Sequence, residues 1–463
     1  MRSMKLVGFA VMAALTFGQA RAETLTDALV SAYRNSNLLD QNEALLRAAD
    51  EDVAIAVSAL RPVINFALSG QYANSVNKDL PLLSRGESFT AQAALTADLT
   101  IYDFGRTRLA IDASKETVLA TREALVDLEQ RVLITAVQAF VNVRLSSEIV
   151  FLRQSNVRLI TQELRAAQDR FEVGEITRTD VALAESRLAQ ARANLASAEG
   201  DLMVAREAYK ASVGAYPGNL AALPRSPATA RNLDEARGVA VRTHPSLKQA
   251  QHQVTIAEIN VARAKAGTRP TLTGRASSGL VDSNTSSVDF AGTNTLSLSF
   301  NQTLYAGGQL AAIYRRSLAS QEAARSSLLQ TTVNIEEDVG NAWANLLVAQ
   351  AQIEATDRQI RAAQIAFDGL REEAKLGART ALDVLDAEQE LLDAKVARAT
   401  AEATRYLGVY SLLQTMGLLT VDHLQLGIPT YDPTAYYRAV KDAPSHTVQG
   451  KKLDRILKSI GDN

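Results

Sequence analysis

The sequence has no cysteine, so disulfides, thiolate metal sites and cysteine nucleophiles are excluded. It has only four histidines, His244, His252, His423 and His446, and no two stand at the i,i+4 spacing of a helical zinc pair. Aromatic residues make up 5% of the chain, a scarcity that, with abundant alanine, suits long and closely packed helices. The net charge is −2 and the basic residues are scattered, so there is no electrostatic footprint for nucleic acid. After the N-terminal segment no apolar run approaches the ~18 residues of a membrane helix, which leaves a soluble chain or one that crosses a membrane as a closed β-barrel. A phosphate-binding G-x4-G-K-S/T loop is missing, and no nucleophile–histidine–acid set stands out. The paired acids Glu336-Glu337 and Glu372-Glu373 fall on helical stretches and read as solvated faces. The chain is therefore expected to be neither an enzyme nor a cofactor protein.

What is present begins with a targeting signal. Arg2 and Lys5 precede an apolar stretch from Leu6 to Phe17, and Ala20-Arg21-Ala22 forms a small-x-small cleavage site. Residues 1–22 read as a signal peptide, with Glu23 as the first mature residue.

The mature chain is written twice. Gly174-x-x-Thr177-x-x-Asp180-x4-Glu185 recurs as Gly377-x-x-Thr380-x-x-Asp383-x4-Glu388, an offset of 203 positions (377 − 174). Tyr102 and Gly105 map to Tyr305 and Gly308, Phe140-x-Asn142 to Trp343-x-Asn345, and Gly214 to Gly417 at the same offset. Upstream, Leu25 and Arg61-Pro62 meet Leu233 and Arg269-Pro270 at an offset of 208 (233 − 25). A period far above the ~20–50 residues of solenoids marks a duplicated large unit. Repeat 1 covers residues 23–214 and repeat 2 residues 233–417. A proline-marked linker lies at 215–232, and a polar tail, read as partly disordered, at 418–463.

Each repeat carries a strand pair and a helical hairpin. Phe89, Ala91, Ala93, Leu95, Ala97, Leu99 and Ile101 alternate with polar residues, as do Leu296, Leu298 and Phe300 in repeat 2. Their partners are Ile64, Phe66, Leu68 and Tyr72, and Leu272, Ala276 and Leu280. The hairpins are expected at about 63–101 and 271–305, with solvated links at Asn74–Glu87 and Asp282–Gly292. A helix of about 35 residues is expected ahead of each strand pair. From Arg106 to Val173 there is neither proline nor glycine, enough for a helix of roughly 100 Å at 1.5 Å per residue. Two adjacent heptad tracks, Val118, Leu125, Val132, Ala139 and Leu119, Val126, Leu133, Phe140, widen its apolar face so that it can pack on both sides. Gly174 and Gly377 are placed as left-handed caps, and Thr177 and Thr380 as N-caps answered by Asp180 and Asp383.

Four strands cannot close a membrane barrel, and open edges are not tolerated in lipid, so protomers must share strands. A trimer would give twelve strands and a dimer eight.

These paired Gly-x-x-Thr-x-x-Asp turns, the Tyr-x-x-Gly exits and the duplicated layout resemble the TolC family of outer-membrane exit ducts, over Leu25 to about Leu426. The segment Gly377–Asp386 (GARTALDVLD) is the most specific part. The resemblance implies a mainly α fold with a membrane β-barrel: a homotrimer with a twelve-stranded β-barrel continuous with a periplasmic α-helical barrel. It implies the outer membrane of a Gram-negative bacterium, extending into the periplasm, and contact with outer-membrane lipid. It further implies an exit duct for a tripartite efflux pump or a type I secretion system, joined to a periplasmic adaptor and an inner-membrane transporter of ABC, RND or MFS type. Asp383 and Asp386 would ring the periplasmic constriction with carboxylates whose pKa is raised by mutual repulsion. Arg379 would form a latch with Thr179 and Asp180 of a neighbouring hairpin. Gly174, Thr177, Gly377 and Thr380 would lie at the adaptor-docking tips. Ala374 stands where some family members place a latch tyrosine. The competing readings are a coiled-coil scaffold of the cell envelope, which leaves the amphipathic strands unexplained, and an exported enzyme.

Overall fold

The computed structural model describes residues 22–79, 82–284 and 290–461; the expected signal peptide lies outside the described residues. Chain order gives α1 (Leu25–Arg34), α2 (Asn37–Ser58), β1 (Val63–Asp79), β2 (Leu82–Tyr102), α3 (Arg106–Glu172) and α4 (Arg178–Val213). The second repeat follows with α5 (Leu233–Thr243), α6 (Pro245–Ala266), β3 (Thr271–Ser283), β4 (Ala291–Asn301), α7 (Gln309–Lys375) and α8 (Ala381–Thr415). The tail adds α9 (Pro433–Val440) and α10 (Val448–Gly461).

Each helix expected at about 35 residues is two. In repeat 1 the break at Asn35 is used: its Nδ2 donates to the Val213 carbonyl at the end of α4 (2.9 Å). In repeat 2 the break precedes Pro245, whose ring cannot continue a helix. There the Thr243 Oγ1 donates to the Met416 carbonyl (2.6 Å). Asn35 and Thr243 are 208 apart and Val213 and Met416 are 203 apart, so the two offsets read in the sequence reappear as one repeated hydrogen bond.

The described residues form two compact units, one drawn from 22–36, 132–228 and 345–410 and the other from 37–79, 82–131, 229–284, 290–344 and 411–461. The second holds the sheet, an antiparallel run ordered β1-β2-β3-β4. Cross-strand partners put Phe66 opposite Leu95, Tyr72 opposite Phe89, Ala276 opposite Leu296 and Leu272 opposite Phe300. One face is therefore apolar, yet Phe66, Leu68, Leu296 and Phe300 are between 66% and 86% exposed. The other face carries Thr, Ser and Gln, and an Arg275–Asp98 ion pair (2.5 Å) between directly opposed residues. An apolar outer and polar inner face is the pattern of an outer-membrane strand.

The links expected at Asn74–Glu87 and Asp282–Gly292 need correction. Pairing continues to Asp79 opposite Leu82, and β3 and β4 extend through Ser283 and from Ala291. Polar composition reads as loop, but ladder hydrogen bonds come from the backbone and run on through polar residues. Residues 80, 81 and 285–289 lie outside the described residues.

The tail is also ordered where disorder was expected. Asp432 caps α9 through the Thr434 N–H, with Pro433 at the first turn. Tyr431 and Tyr437 pack on Leu46, Val53 and Val118, and the Tyr436 hydroxyl donates to Glu51 (2.7 Å).

In the first unit, α3, α4, α7 and α8 contribute the packed residues. One cluster joins Ile160, Leu164, Ala184, Leu188 and Leu385, and another Phe367, Ala374, Val384 and Leu391. Of the described helices, α3 alone has an 18-residue window apolar enough to cross a bilayer by length and composition. Half of that window is buried within the protein, as in a core helix.

Candidate functional site

The two helical turns are built alike. After α3, Gly174 takes φ +81°, and the Glu175 N–H donates to the Arg170 carbonyl (2.9 Å). After α7, Gly377 takes φ +76°, and the Ala378 N–H donates to the Glu373 carbonyl (3.0 Å). This left-handed glycine with a six-to-one hydrogen bond satisfies carbonyls that the ending helix leaves free. Each chain then restarts in a capping box. The Thr177 N–H and hydroxyl donate to Asp180 Oδ2 (3.0 and 2.8 Å), and the Asp180 N–H returns to the threonine oxygen. Thr380 and Asp383 repeat this with 3.0 and 2.9 Å.

The caps bear on two acids. The Thr380 N–H and hydroxyl, with Arg379 nearby, hold the Asp383 carboxyl below the ordinary carboxylate value. Asp180 is lowered in the same way by Thr177. Within one protomer the cap lowers Asp383, because donated hydrogen bonds stabilise the ionised form; the raised value expected of it belongs to a ring of several copies.

Asp386, one turn further along α8, accepts from Arg187 Nη2 of α4 at 2.7 Å, and both side chains are about half exposed. Arg379 donates to Glu373 of its own hairpin (2.9 Å). It lines one cleft with Thr177, Asp180, Thr380 and Gly377, so the two turns lie side by side, and Thr179 is exposed on the adjoining turn. Ala374 is buried beside Phe367 and Val384, and its carbonyl accepts from Arg170 Nη1 (3.4 Å).

Sequence reasoning gave no role to Glu388, although it closes the repeated motif. Its copy Glu185 is exposed, whereas Glu388 is 6% exposed. Glu388 Oε1 accepts from Asn156 Nδ2 of α3 (2.8 Å), and its Oε2 is buried without a protein partner among the described residues. Burial pushes its pKa up to about 7, against the lowering pull of Asn156, Arg371 and Lys395. Arg187 and Arg170 were missed too. The spacing within one helix cannot say which residue of another helix lies opposite.

The comparisons with known proteins agree with this layout. The model of the outer membrane efflux protein family matches the chain twice, over residues 28–215 and 238–418. The outer membrane efflux protein BepC of Brucella suis biovar 1 is 34% identical over 430 residues, covering 92% of each chain. The outer membrane protein TolC of Escherichia coli K12 is 25% identical, over 88% of this chain and 84% of that one. The crystal structure of the outer membrane protein VceC from Vibrio cholerae superposes with a TM-score of 0.73 at 19% identity, covering 85% of this chain and 96% of that chain. With the family model spanning both repeats and a relative above 30% identity along nearly the whole length, the chain belongs to the outer membrane efflux protein family and resides in the outer membrane, reaching into the periplasm.

Proposed function

We propose that the chain is the exit duct of a tripartite efflux pump or a type I secretion system, passing substrate from an inner-membrane transporter and periplasmic adaptor to the exterior. The observation that carries this reading is the four-stranded sheet, with an exposed apolar face and outer edges at β1 and β4. Such edges are not tolerated in lipid. Closing them takes further copies of the chain, and three copies supply the twelve strands of a barrel wide enough to conduct.

A second detail supports the homotrimer. Shifted by 203, the buried Asn156–Glu388 contact becomes Gln359 and Glu185, both exposed in one protomer. A neighbour that sets its α7 against α4 would bury this pair in the same way. The wall would then use one contact twice, once within and once between chains.

At the tip, Asp383 and Asp386 form the candidate gate and Arg379 the latch, with Thr179 and Asp180 of a neighbouring hairpin as its partners. Arg379 must exchange Glu373 for those groups as the tip closes. The turns at Gly174, Thr177, Gly377 and Thr380 form the adaptor-docking surface. The duct is passive, and energy comes from the transporter.

Conductance of the purified protein in a planar bilayer tests the reading. Discrete channels whose cation preference falls in the Asp383→Ala, Asp386→Ala double variant support it. A protein that stays monomeric and forms no channels defeats it.

A further inference from the structure

The helical end of the sheet carries a feature that conduction does not require. Arg61 stands two residues before β1, between Leu60 (54% exposed) and Ile64 (44% exposed), which shares the apolar face with Phe66. Its guanidinium donates to the carbonyls of Asp442 and Ala443 and pairs with Asp454 (3.2 Å) of α10. Asp454 also accepts from the Ser445 N–H (2.8 Å). The tail is thus tied to the place where the helices give way to membrane strands. Tyr102 ends β2 at this same end of the sheet, and Tyr305, which follows β4, is its repeat counterpart. Both are exposed, as in an aromatic girdle at a membrane–water boundary.

The orientation of α10 follows from that tie. At 100° per residue, Asp454 and Leu453 face inward and are half-buried, while Val448, Lys451, Lys452, Arg455 and Ile456 occupy the opposite arc and are exposed. Three cations interleaved with two apolar side chains suit neither open water nor a hydrocarbon core. They suit the headgroup zone, where amphipathic basic helices lie in the interface plane and cations are drawn to an anionic surface.

We infer that α10 is a membrane-surface helix that binds anionic phospholipid headgroups in the leaflet facing the periplasm. The inference rests on the sheet lying in the outer membrane with its helical end towards the periplasm. Anionic phospholipid is the occupant because the helix is anchored at the start of β1 and its outer arc is positive and partly apolar. A purely polar acidic protein surface would leave Val448 and Ile456 uncovered.

The absence of cysteine makes the test direct. Spin labels are placed singly in the full chain through Lys452→Cys on α10, Phe66→Cys on the sheet face and Gln190→Cys on α4 as an aqueous control. The chain is reconstituted in nanodiscs of phosphatidylethanolamine with or without phosphatidylglycerol. Collision with aqueous and lipid-soluble relaxants then gives the depth of each label. The expected result is a Phe66 label in the acyl core, a Gln190 label in water, and a Lys452 label at headgroup depth only with phosphatidylglycerol. Reversing Lys451→Glu and Arg455→Glu returns the Lys452 label to water and leaves the Phe66 label in place. A Lys452 label as aqueous as Gln190 in both nanodiscs overturns the inference while the Phe66 label still places the sheet. An aqueous Phe66 label overturns the membrane placement itself. Protection of Lys452 only on adding a purified periplasmic adaptor assigns the helix to a protein partner and overturns the lipid assignment.

Discussion

Replacing Glu388 by glutamine should make the helical wall more stable at alkaline pH and leave it unchanged in acid. The amide keeps an oxygen that accepts from Asn156, so the 2.8 Å hydrogen bond survives, but it removes a charge that burial disfavours. In the folded chain the carboxyl titrates near 7 rather than 4.5. Between those values the folded form holds a proton that the unfolded form has released, so stability falls as pH rises. The contribution is fully present below about 4.5 and fully lost above about 7. The interval corresponds to about 3 kcal/mol per protomer as an upper figure. Glu163, which raises the pKa, and Arg371 and Lys395, which lower it, stay in both proteins, so the difference isolates residue 388. The assay is guanidinium unfolding of the helices by far-UV circular dichroism across the neutral range. The wild type should lose stability as pH rises and Glu388→Gln should lose less, with the two meeting in acid. Parallel pH profiles for the two proteins would refute the assignment of a neutral buried acid.

The remaining predictions concern the turns. Gly417→Ala should be severely destabilising, because at φ +71° a Cβ would lie 2.7 Å from the His244 Cα; Gly377→Ala, with open space around it, should cost only about 1–2 kcal/mol for its left-handed backbone. The yield of folded protein and its denaturation midpoint separate the two. Thr380→Ala should cost about 1 kcal/mol of helix capping and let Asp383 regain a proton at higher pH, which the acid limb of cation selectivity reads. Asp386→Asn breaks the exposed pair with Arg187 and should change stability by less than about 1 kcal/mol while lowering single-channel cation preference.

Local chemistry was legible in the sequence wherever a residue's partner lies within one turn of it. Both capping boxes and both glycine caps stand where spacing puts them, because a threonine three residues before an aspartate meets only its own helix. Strand faces were legible for the same reason, since alternation is a property of one strand. The failures share the opposite character. The polar ends of β1 and β2 look like loops until their partner supplies the ladder. Glu388 looks like its exposed copy Glu185 until Asn156 of another helix stands opposite. The tail is a separate case. Asp432-Pro433 is a start signal for α9 that was readable in the sequence, and general polarity outweighed it.

The duplicated register also locates where the copies have diverged. Leu183 and Arg187 on α4 correspond to Asp386 and Glu390 on α8, so apolar and basic residues on one helix are replaced by two acids on its copy. Arg187 pairs with Asp386, which joins the altered positions to each other. The pair joins a basic residue of one copy to an acid of the other, where the equivalent positions, Leu183 and Glu390, offer no such match. Backbone features keep both copies, from the Gly174 and Gly377 caps to the carbonyl contacts of Asn35 and Thr243. Charge at the tip does not. Exposed side chains on α4 and α8 can be exchanged without repacking the helices, so the two copies keep one frame while their charge patterns differ.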